Sequence, residues 1–240
     1  MIQRVPTGVK GFDELIEDGF PVESLILVAG GPGAGKTTLS AQFLYEGATR
    51  FGEKGVYVCF AETKRALVRN LLRFGWDFER LENERRCTIL DLSTVKEAGI
   101  QNNLDLILKN VTDIKAKRMV IDSFTAMSMA LREAIDVRYL VHLLYNFLQK
   151  IGCTTILISD TPYGSQRIGS GVEEFIADGI ILMQTRFSDE GELERELRVL
   201  KMRSTNHSKK THKYDITEKG ITFQKIVAKR RTKKDAQDKQ

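Results

Sequence analysis

The chain has 240 residues, of which 42% are apolar and 29% are charged, as in soluble globular proteins. No apolar run approaches the roughly 20 residues that a membrane-spanning helix needs, and the N-terminal segment lacks the apolar core of a secretory signal, so we expect a cytoplasmic protein without a membrane anchor. The net charge of +5 lies entirely in residues 225–240, while residues 1–224 are neutral, which argues against a generally basic nucleic-acid-binding surface.

The first predicted elements are a buried strand over residues 24–29, a glycine-rich turn and a helix that begins at Lys36. The turn fits GxxxxGK[ST], the P-loop pattern of nucleoside triphosphate sites. Glycines let successive backbone N–H groups converge on phosphate oxygens, and the helix start directs the positive end of its dipole at the same anion. The residues that we expect to bind the nucleotide here are Gly31, Pro32, Gly33, Ala34, Gly35, Lys36, Thr37 and Thr38.

Two side chains of this motif have individual roles in the prediction. Lys36 is expected to reach the β- and γ-phosphates, and the Thr37 hydroxyl is expected to ligate Mg²⁺. The predicted ligands are therefore ATP and Mg²⁺.

The next predicted strand, residues 56–60, ends just before Glu62 and a helix over residues 64–73. Hydrolysis needs a group that activates or orients the attacking water, and ligands bind at the carboxyl edge of such sheets. Glu62 is thus the candidate general base. The alternative is that Glu62 is only an acidic residue beside Thr63 at a helix N-terminus.

Short apolar strands then alternate with helices through the middle of the chain. Strands are predicted at residues 87–90, 119–121 and 154–158, and amphipathic helices at 102–115 and 136–151. This alternation predicts an α/β fold with a buried parallel sheet.

The predicted strand 119–121 ends in Asp122. A hydrophobic strand that ends in Asp is the Walker B pattern, whose carboxylate holds Mg²⁺, often through water. With a P-loop already assigned, we predict that Asp122 and Thr37 share the metal.

After residue 178 the helical pattern stops. Strands are predicted at residues 179–183, 195–202, 211–216 and 221–224, which indicates a largely antiparallel extension at one edge of the sheet. We therefore predict one domain over residues 1–224. The basic segment 225–240 is predicted to be a disordered tail, either a solubilising tail or an arm that binds a nucleic acid or another partner.

Absent patterns narrow the class of protein. The three cysteines, Cys59, Cys87 and Cys153, form no CxxC pair, so we expect reduced core thiols rather than a metal site. The guanine-specifying NKxD motif and an LSGGQ-type signature do not occur, which disfavours a GTPase and an ABC transporter subunit.

Several segments resemble KaiC-like ATPases of the RecA superfamily. Besides the P-loop, they occur in the family's order from about residue 4 to 224. The segments are Arg4-Val5-Pro6-Thr7-Gly8, Gly11-Phe12-Asp13-Glu14-Leu15, Gly55-Val56-Tyr57-Val58, Val120-Ile121-Asp122-Ser123, Gly171-Val172-Glu173-Glu174-Phe175 and Lys201-Met202-Arg203.

The resemblance implies a RecA-like P-loop NTPase core and a ring, usually a hexamer, with ATP between subunits. Lys201 and Arg203 match the family's basic pair that acts in trans on the γ-phosphate of a neighbouring subunit, and His207 matches a nearby nucleotide-contacting position. From the residues alone, Lys201 and Arg203 are only exposed positions on one face of a strand.

The sequence departs from the resembled family at two sites. KaiC-like proteins commonly have two adjacent glutamates after the second strand, whereas this chain has Ala61-Glu62. Either the single Glu62 suffices, as the single glutamate after an alanine does in RecA recombinases, or the missing carboxylate makes turnover slow. The phosphorylated half of the clock protein has Ser-Thr where this chain has Glu174-Phe175, so autokinase activity is not expected.

Three functions remain open from the sequence. The first is a Mg²⁺-dependent ATPase ring whose hydrolysis drives a conformational switch. The second is a recombinase-paralogue-like ATPase that binds single-stranded DNA through loop 161–171, which has few of the basic and aromatic groups that such loops use. The third is a signalling scaffold that binds ATP, hydrolyses it rarely and recruits an unknown protein partner.

Overall fold

A nine-stranded sheet flanked by helices forms the described part of the chain, which in this computed structural model comprises residues 2–93, 99–128, 134–162, 168 and 173–223. A separate two-stranded ribbon lies near the N-terminus. In chain order the strands are β1 Arg4–Val5, β2 Phe20–Pro21, β3 Leu25–Gly30, β4 Gly55–Cys59, β5 Cys87–Asp91, β6 Arg118–Asp122, β7 Thr154–Asp160, β8 Gly179–Phe187, β9 Leu193–Met202, β10 His212–Thr217 and β11 Gly220–Phe223.

Seven α-helices and one short 3-10 turn, Asp13–Leu15, accompany these strands within the described residues. The helices are α1 Lys36–Arg50, α2 Lys64–Leu72, α3 Phe78–Asn83, α4 Gly99–Ile114, α5 Phe124–Ser128, α6 Ala134–Ile151 and α7 Glu173–Ile176.

The strand order in the sheet is β11-β10-β9-β8-β3-β7-β6-β4-β5. From β5 to β8 every pairing is parallel, and from β8 to β11 every pairing is antiparallel. The predicted fold is thereby confirmed, since a mostly parallel sheet carries an antiparallel C-terminal extension at one edge.

Helices cover both faces of the parallel strands, as continuous apolar strands require. On one face, Phe43 of α1, Leu67 of α2 and Leu81 of α3 belong to one buried cluster. On the other face, Leu104 of α4 and Leu144 of α6 belong to a second cluster. Because these strands run parallel, the carboxyl ends of β3, β4 and β6 lie at one edge of the sheet. Ligands bind at this edge in open α/β folds.

The long predicted helices and the apolar strands are all present, with ends that shift by a few residues. Sequence patterns missed the short elements β1, β2, α3, α5 and α7. Most of the predicted DNA-binding loop 161–171 and the tail 225–240 lie outside the described residues.

Candidate functional site

The P-loop connects β3, whose six residues are all buried, to α1. Gly33 and Gly35 adopt positive φ angles of 75° and 86°, a conformation that glycine adopts without strain. A Cβ atom at Gly35 would lie 2.7 Å from Cδ1 of Ile216, the end of a side chain that can shift, so the positive φ is the main reason for glycine there. No side chain caps the N-terminus of α1, and its first N–H groups are free to bind an anion.

Lys36 lies buried across the P-loop. Its Nζ donates to the main-chain oxygen of Gly31 at 3.0 Å and forms an ion pair with Oδ1 of Asp160 at 3.1 Å. The ammonium group thus lies at the P-loop turn, where its partners are a main-chain oxygen and a half-exposed carboxylate.

The predicted metal ligands Thr37 and Asp122 are in direct contact. The hydroxyl of Thr37 donates to Oδ2 of Asp122 at 2.8 Å, and the hydroxyl of Tyr57 donates to the same oxygen at 2.7 Å. Burial raises the pKa of Asp122 above its ordinary value, while the two hydroxyl hydrogen bonds act in the opposite direction. A carboxylate beside a hydroxyl is an oxygen donor set that suits Mg²⁺.

Glu62 lies just beyond the end of β4, the strand next to β6. Burial and the charge of Asp122 both raise the pKa of Glu62. Thr63, not Glu62, caps α2, because its side chain accepts from the N–H of Ala66 at 3.3 Å. Among the described residues, the Glu62 carboxylate forms no hydrogen bond or ion pair, so it is free to face a ligand.

The C-terminal extension contacts the P-loop, which no sequence motif indicated. The hydroxyl of Tyr214 donates to the main-chain oxygen of Ala34 at 2.5 Å, and Nε of Arg195 donates to that of Gly33 at 3.0 Å. Tyr214 is buried, and burial raises its pKa. The extension therefore holds the outer side of the turn while its N–H groups remain available.

Arg203, the predicted finger in trans, lies away from the P-loop of its own chain. Arg203 forms an ion pair with Asp178 at 3.0 Å, and the N–H of Asp178 donates to the main-chain oxygen of Leu25 at 2.8 Å. Leu25 begins β3, whereas the P-loop follows its end at Gly30. At 3.3 Å per residue, about 20 Å of strand separates the two sites.

Lys201 lies near Arg203, opposite Ile180 of β8, whereas His207 lies in the segment between β9 and β10. The Nζ of Lys201 lies 3.4 Å from the main-chain oxygens of Glu174 and Phe175. Partial burial lowers its pKa, and the charge of Arg203 adds to that effect. Nδ1 of His207 lies 2.9 Å from the main-chain oxygen of Ser208.

The family model for the KaiC ATPase matches residues 5–228. The chain belongs to the KaiC ATPase family. This membership assigns ATP binding and hydrolysis to the chain at the level of the family.

Relatives of similar length support the assignment to the KaiC ATPase family. A UPF0273 protein of Pyrococcus furiosus is 36% identical over 92% of this chain and 94% of its own length. A UPF0273 protein of Thermotoga maritima is 35% identical over 93% of this chain and 96% of its own length. The crystal structure of a KaiC-like protein from Pyrococcus horikoshii is similar with a TM-score of 0.85 and 41% identity, covering 93% of this chain and all of that one.

The chain spans about half of the circadian clock oscillator protein KaiC. The KaiC of Prochlorococcus marinus is 34% identical over 97% of this KaiC-family chain, which covers 48% of that protein. Within the described residues, no helix has the length and apolarity to cross a membrane, and no group of three His, Cys, Asp or Glu side chains is placed to bind a metal.

Proposed function

We propose that the protein is a Mg²⁺-dependent ATPase whose sites lie between the subunits of a ring, most simply a hexamer, and whose hydrolysis drives a conformational switch. The observation that carries the proposal is the 2.8 Å contact between Thr37 of the P-loop and Asp122 of β6. Membership of the KaiC ATPase family supports nucleotide chemistry at this edge.

The P-loop supplies the triphosphate site in this proposal. Backbone N–H groups of Gly31 to Thr38, including those of Gly33, Ala34 and Gly35, would bind phosphate oxygens, while Pro32 shapes the turn without donating. When ATP binds, Lys36 would leave Asp160 and the Gly31 oxygen and would bind the β- and γ-phosphates instead. Thr37 and Asp122 would hold Mg²⁺, which neutralises charge on the phosphates when it is bound.

Glu62 is the proposed general base. Its carboxylate lies at the same sheet edge as Asp122 and has no partner among the described residues, so it can accept a proton from the attacking water. The single carboxylate after Ala61 favours slow turnover. The replacement of Ser-Thr by Glu174-Phe175 supports the absence of autokinase activity.

Lys201, Arg203 and His207 are proposed to act on the nucleotide of the neighbouring subunit. About 20 Å of strand separates Arg203 from its own P-loop, which is beyond the reach of an arginine side chain, and this distance supports action in trans. The exposed Phe175 beside Lys201 is consistent with a surface that a neighbour covers.

We further propose that residues 1–224 form one domain and that 225–240 is a basic tail. The three cysteines are unpaired and buried, and burial raises the pKa of the Cys153 thiol to about 12, which supports inert thiols in a reducing cytoplasm.

Steady-state ATP turnover, measured with Mg²⁺ and with a chelator, tests the proposal. We expect slow hydrolysis that needs Mg²⁺ and that single-stranded DNA leaves unchanged. Strong stimulation by DNA would instead support the recombinase-like function, and tight ATP binding without turnover would support the scaffold with a protein partner.

A further inference from the structure

The exposed face of α2 and its C-cap residue, Arg73, carry three arginines without acidic partners among the described residues. Arg65, Arg69 and Arg73 follow one another at i, i+4 and i+8, a spacing that places side chains along one face of a helix, and all three are exposed. We call them the arginine stripe. Helix α2 contains no acidic residue, and its other cation, Lys64, is paired with Glu82 at 2.7 Å.

Within the described residues, none of the three stripe arginines forms an ion pair or a side-chain hydrogen bond. Like charges at i and i+4 repel one another on a helix. The same arrangement becomes favourable when an acidic surface docks on it. Leu72, beside the stripe, is 51% exposed, and apolar residues mixed with arginine are typical of a protein interface.

A complementary surface lies on the 3-10 turn Asp13–Leu15 and the residues directly after it. Glu14 and Asp18 are both exposed and form no ion pair within the described residues. We call these two residues the acidic turn. Glu17, which lies between them, is already paired with Arg4 at 2.6 Å.

The acidic turn is fixed to the segment that carries the residues proposed to act in trans. Arg4 donates to Thr205 Oγ1 at 2.5 Å as well as binding Glu17. The N–H of Ser208 donates to the main-chain oxygen of Leu15 at 2.8 Å. The arginine stripe, by contrast, lies on the helix that begins directly after Glu62, at the nucleotide edge of the sheet.

We propose that the arginine stripe of one copy of this chain binds the acidic turn of a second copy, in a head-to-tail contact. The inference rests on the proposed ring, in which the segment 201–207 of one copy approaches the nucleotide edge of the next. The same approach brings the acidic turn toward the arginine stripe. Because the two surfaces differ, the contact is heterologous, and repeated contacts of this kind form a ring when the rotation between neighbours closes.

Charge reversal on each surface tests the contact in the full chain. One variant carries Arg65→Glu, Arg69→Glu and Arg73→Glu, and the other carries Glu14→Lys and Asp18→Lys. The control, Lys109→Glu with Lys115→Glu and Lys117→Glu, changes three exposed lysines by the same charge as the first variant. Assembly is measured by light scattering after size exclusion, with Mg²⁺ and a non-hydrolysable ATP analogue.

Each reversal alone should raise the concentration at which half of the protein assembles by about tenfold or more, because like charges then face each other. An equal mixture of the two variants should assemble like the wild type, since a basic turn then meets an acidic stripe and an acidic turn meets a basic stripe. Thermal unfolding identifies any misfolded variant, and the single changes Arg69→Glu and Glu14→Lys provide a milder matched pair.

The outcomes separate this inference from the proposed ring. A wild-type protein that stays monomeric with the ATP analogue overturns the ring and the contact together. A wild-type ring whose reversed variants also assemble normally overturns the contact alone, as does a mixture of folded variants that fails to assemble. Loss of single-stranded DNA retention with normal assembly, in the arginine variant, assigns the stripe to nucleic acid and overturns the contact.

Discussion

At the residue scale, two hydroxyl groups orient the Asp122 carboxylate. Tyr57 and Thr37 both donate to Oδ2, which orients the carboxylate beside the P-loop hydroxyl. Thr37 and Asp122 could be predicted from motifs, because each follows a recognisable strand. Tyr57 could not, since its contact depends on the pairing of β4 with β6 and not on any spacing along the chain.

Glu62→Gln tests the general base. Turnover should fall by about 10²–10⁴-fold, the usual contribution of a positioned base, while ATP binding is retained because the amide keeps the shape of the side chain. The measurement is single-turnover hydrolysis together with nucleotide affinity. Glu79→Gln, at an exposed glutamate of α3, is the control and should behave like the wild type; an equal loss there would contradict the assignment.

The raised pKa of Glu62 predicts a pH dependence. A base acts only when it is ionised, so activity is lost as the pH falls through the raised pKa, and therefore at a higher pH than for an ordinary glutamate. Asp122 also has a raised pKa and shifts the loss in the same direction. We expect kcat/KM, measured from about pH 5 to about pH 8, to fall on the acidic side. In Glu62→Gln the residual activity should fall less steeply on the acidic side, because the titration of Glu62 no longer contributes.

Arg118 is a buried cation at the start of β6, the strand that ends in Asp122. Its Nε donates to Glu53 at 2.6 Å, its Nη1 donates to the main-chain oxygen of Phe43 at 2.7 Å, and its guanidinium lies 4.5 Å from the centre of the Phe43 ring. A Cβ at Gly47 would lie 2.4 Å from the Arg118 side chain. This contact explains the glycine near the C-terminal end of α1.

Arg118→Ala should lower the free energy of unfolding by about 3–5 kcal/mol, toward the lower end because Glu53 remains partly hydrated. The change removes three polar contacts and leaves a cavity beside Phe43. Denaturant unfolding measures this change in the free energy of unfolding. Arg80→Ala, which breaks an exposed pair with Glu84, should cost only about 0–1 kcal/mol. Equal costs for the two variants would show that burial does not determine the contribution of Arg118.

At the scale of elements, the strands of the C-terminal extension together contact the P-loop and α1. Strands β9 and β10 place Arg195 and Tyr214 against the P-loop oxygens, and Gln42 of α1 accepts from the N–H of Ile221 at 2.8 Å. The extension was predicted as a set of strands, because the helical pattern stops after residue 178. Its contact with the P-loop could not be predicted, because it depends on the order of strands across the sheet.

Tyr214→Phe should destabilise the fold by about 1–3 kcal/mol, because the Ala34 oxygen loses its donor in a buried position. The P-loop turn also loses one of its supports, so ATP affinity should fall. Denaturant midpoints and equilibrium nucleotide binding measure the two effects. Tyr139→Phe removes a hydroxyl from a side chain that is 66% exposed and should change neither quantity.

Element length decided which helices could be predicted. Helices α4 and α6 contain 16 and 18 residues, enough for a repeating apolar pattern. Helices α5 and α7 contain five and four residues, which is too short for such a pattern. The missed helices nevertheless matter, because α7 supplies the oxygens that lie beside Lys201.

At the scale of the whole molecule, Arg203 lies too far from the P-loop of its own chain to reach a phosphate bound there. Its site and the P-loop lie at opposite ends of β3, about 20 Å apart, so one chain cannot bring them to the same phosphate. Alternating strands and helices predicted the fold, but the separation follows only from the register of β9 on β8 and of β8 on β3. In the proposed ring, a second subunit would supply Arg203 to the nucleotide that this P-loop binds.

Mixed rings of Arg203→Ala and Glu62→Gln subunits test this arrangement. Each variant alone should lose activity, about 10³–10⁵-fold for the arginine if it serves as a finger. In an equal mixture, about a quarter of the heterologous interfaces combine an intact Glu62 with an intact Arg203 from the neighbour. Activity should therefore recover toward that fraction of the wild-type rate. Arg203→Ala mixed with the double variant Arg203→Ala/Glu62→Gln should recover nothing, because neither subunit supplies the arginine. Absence of recovery in rings proven to be mixed would mean that Arg203 does not act across the interface.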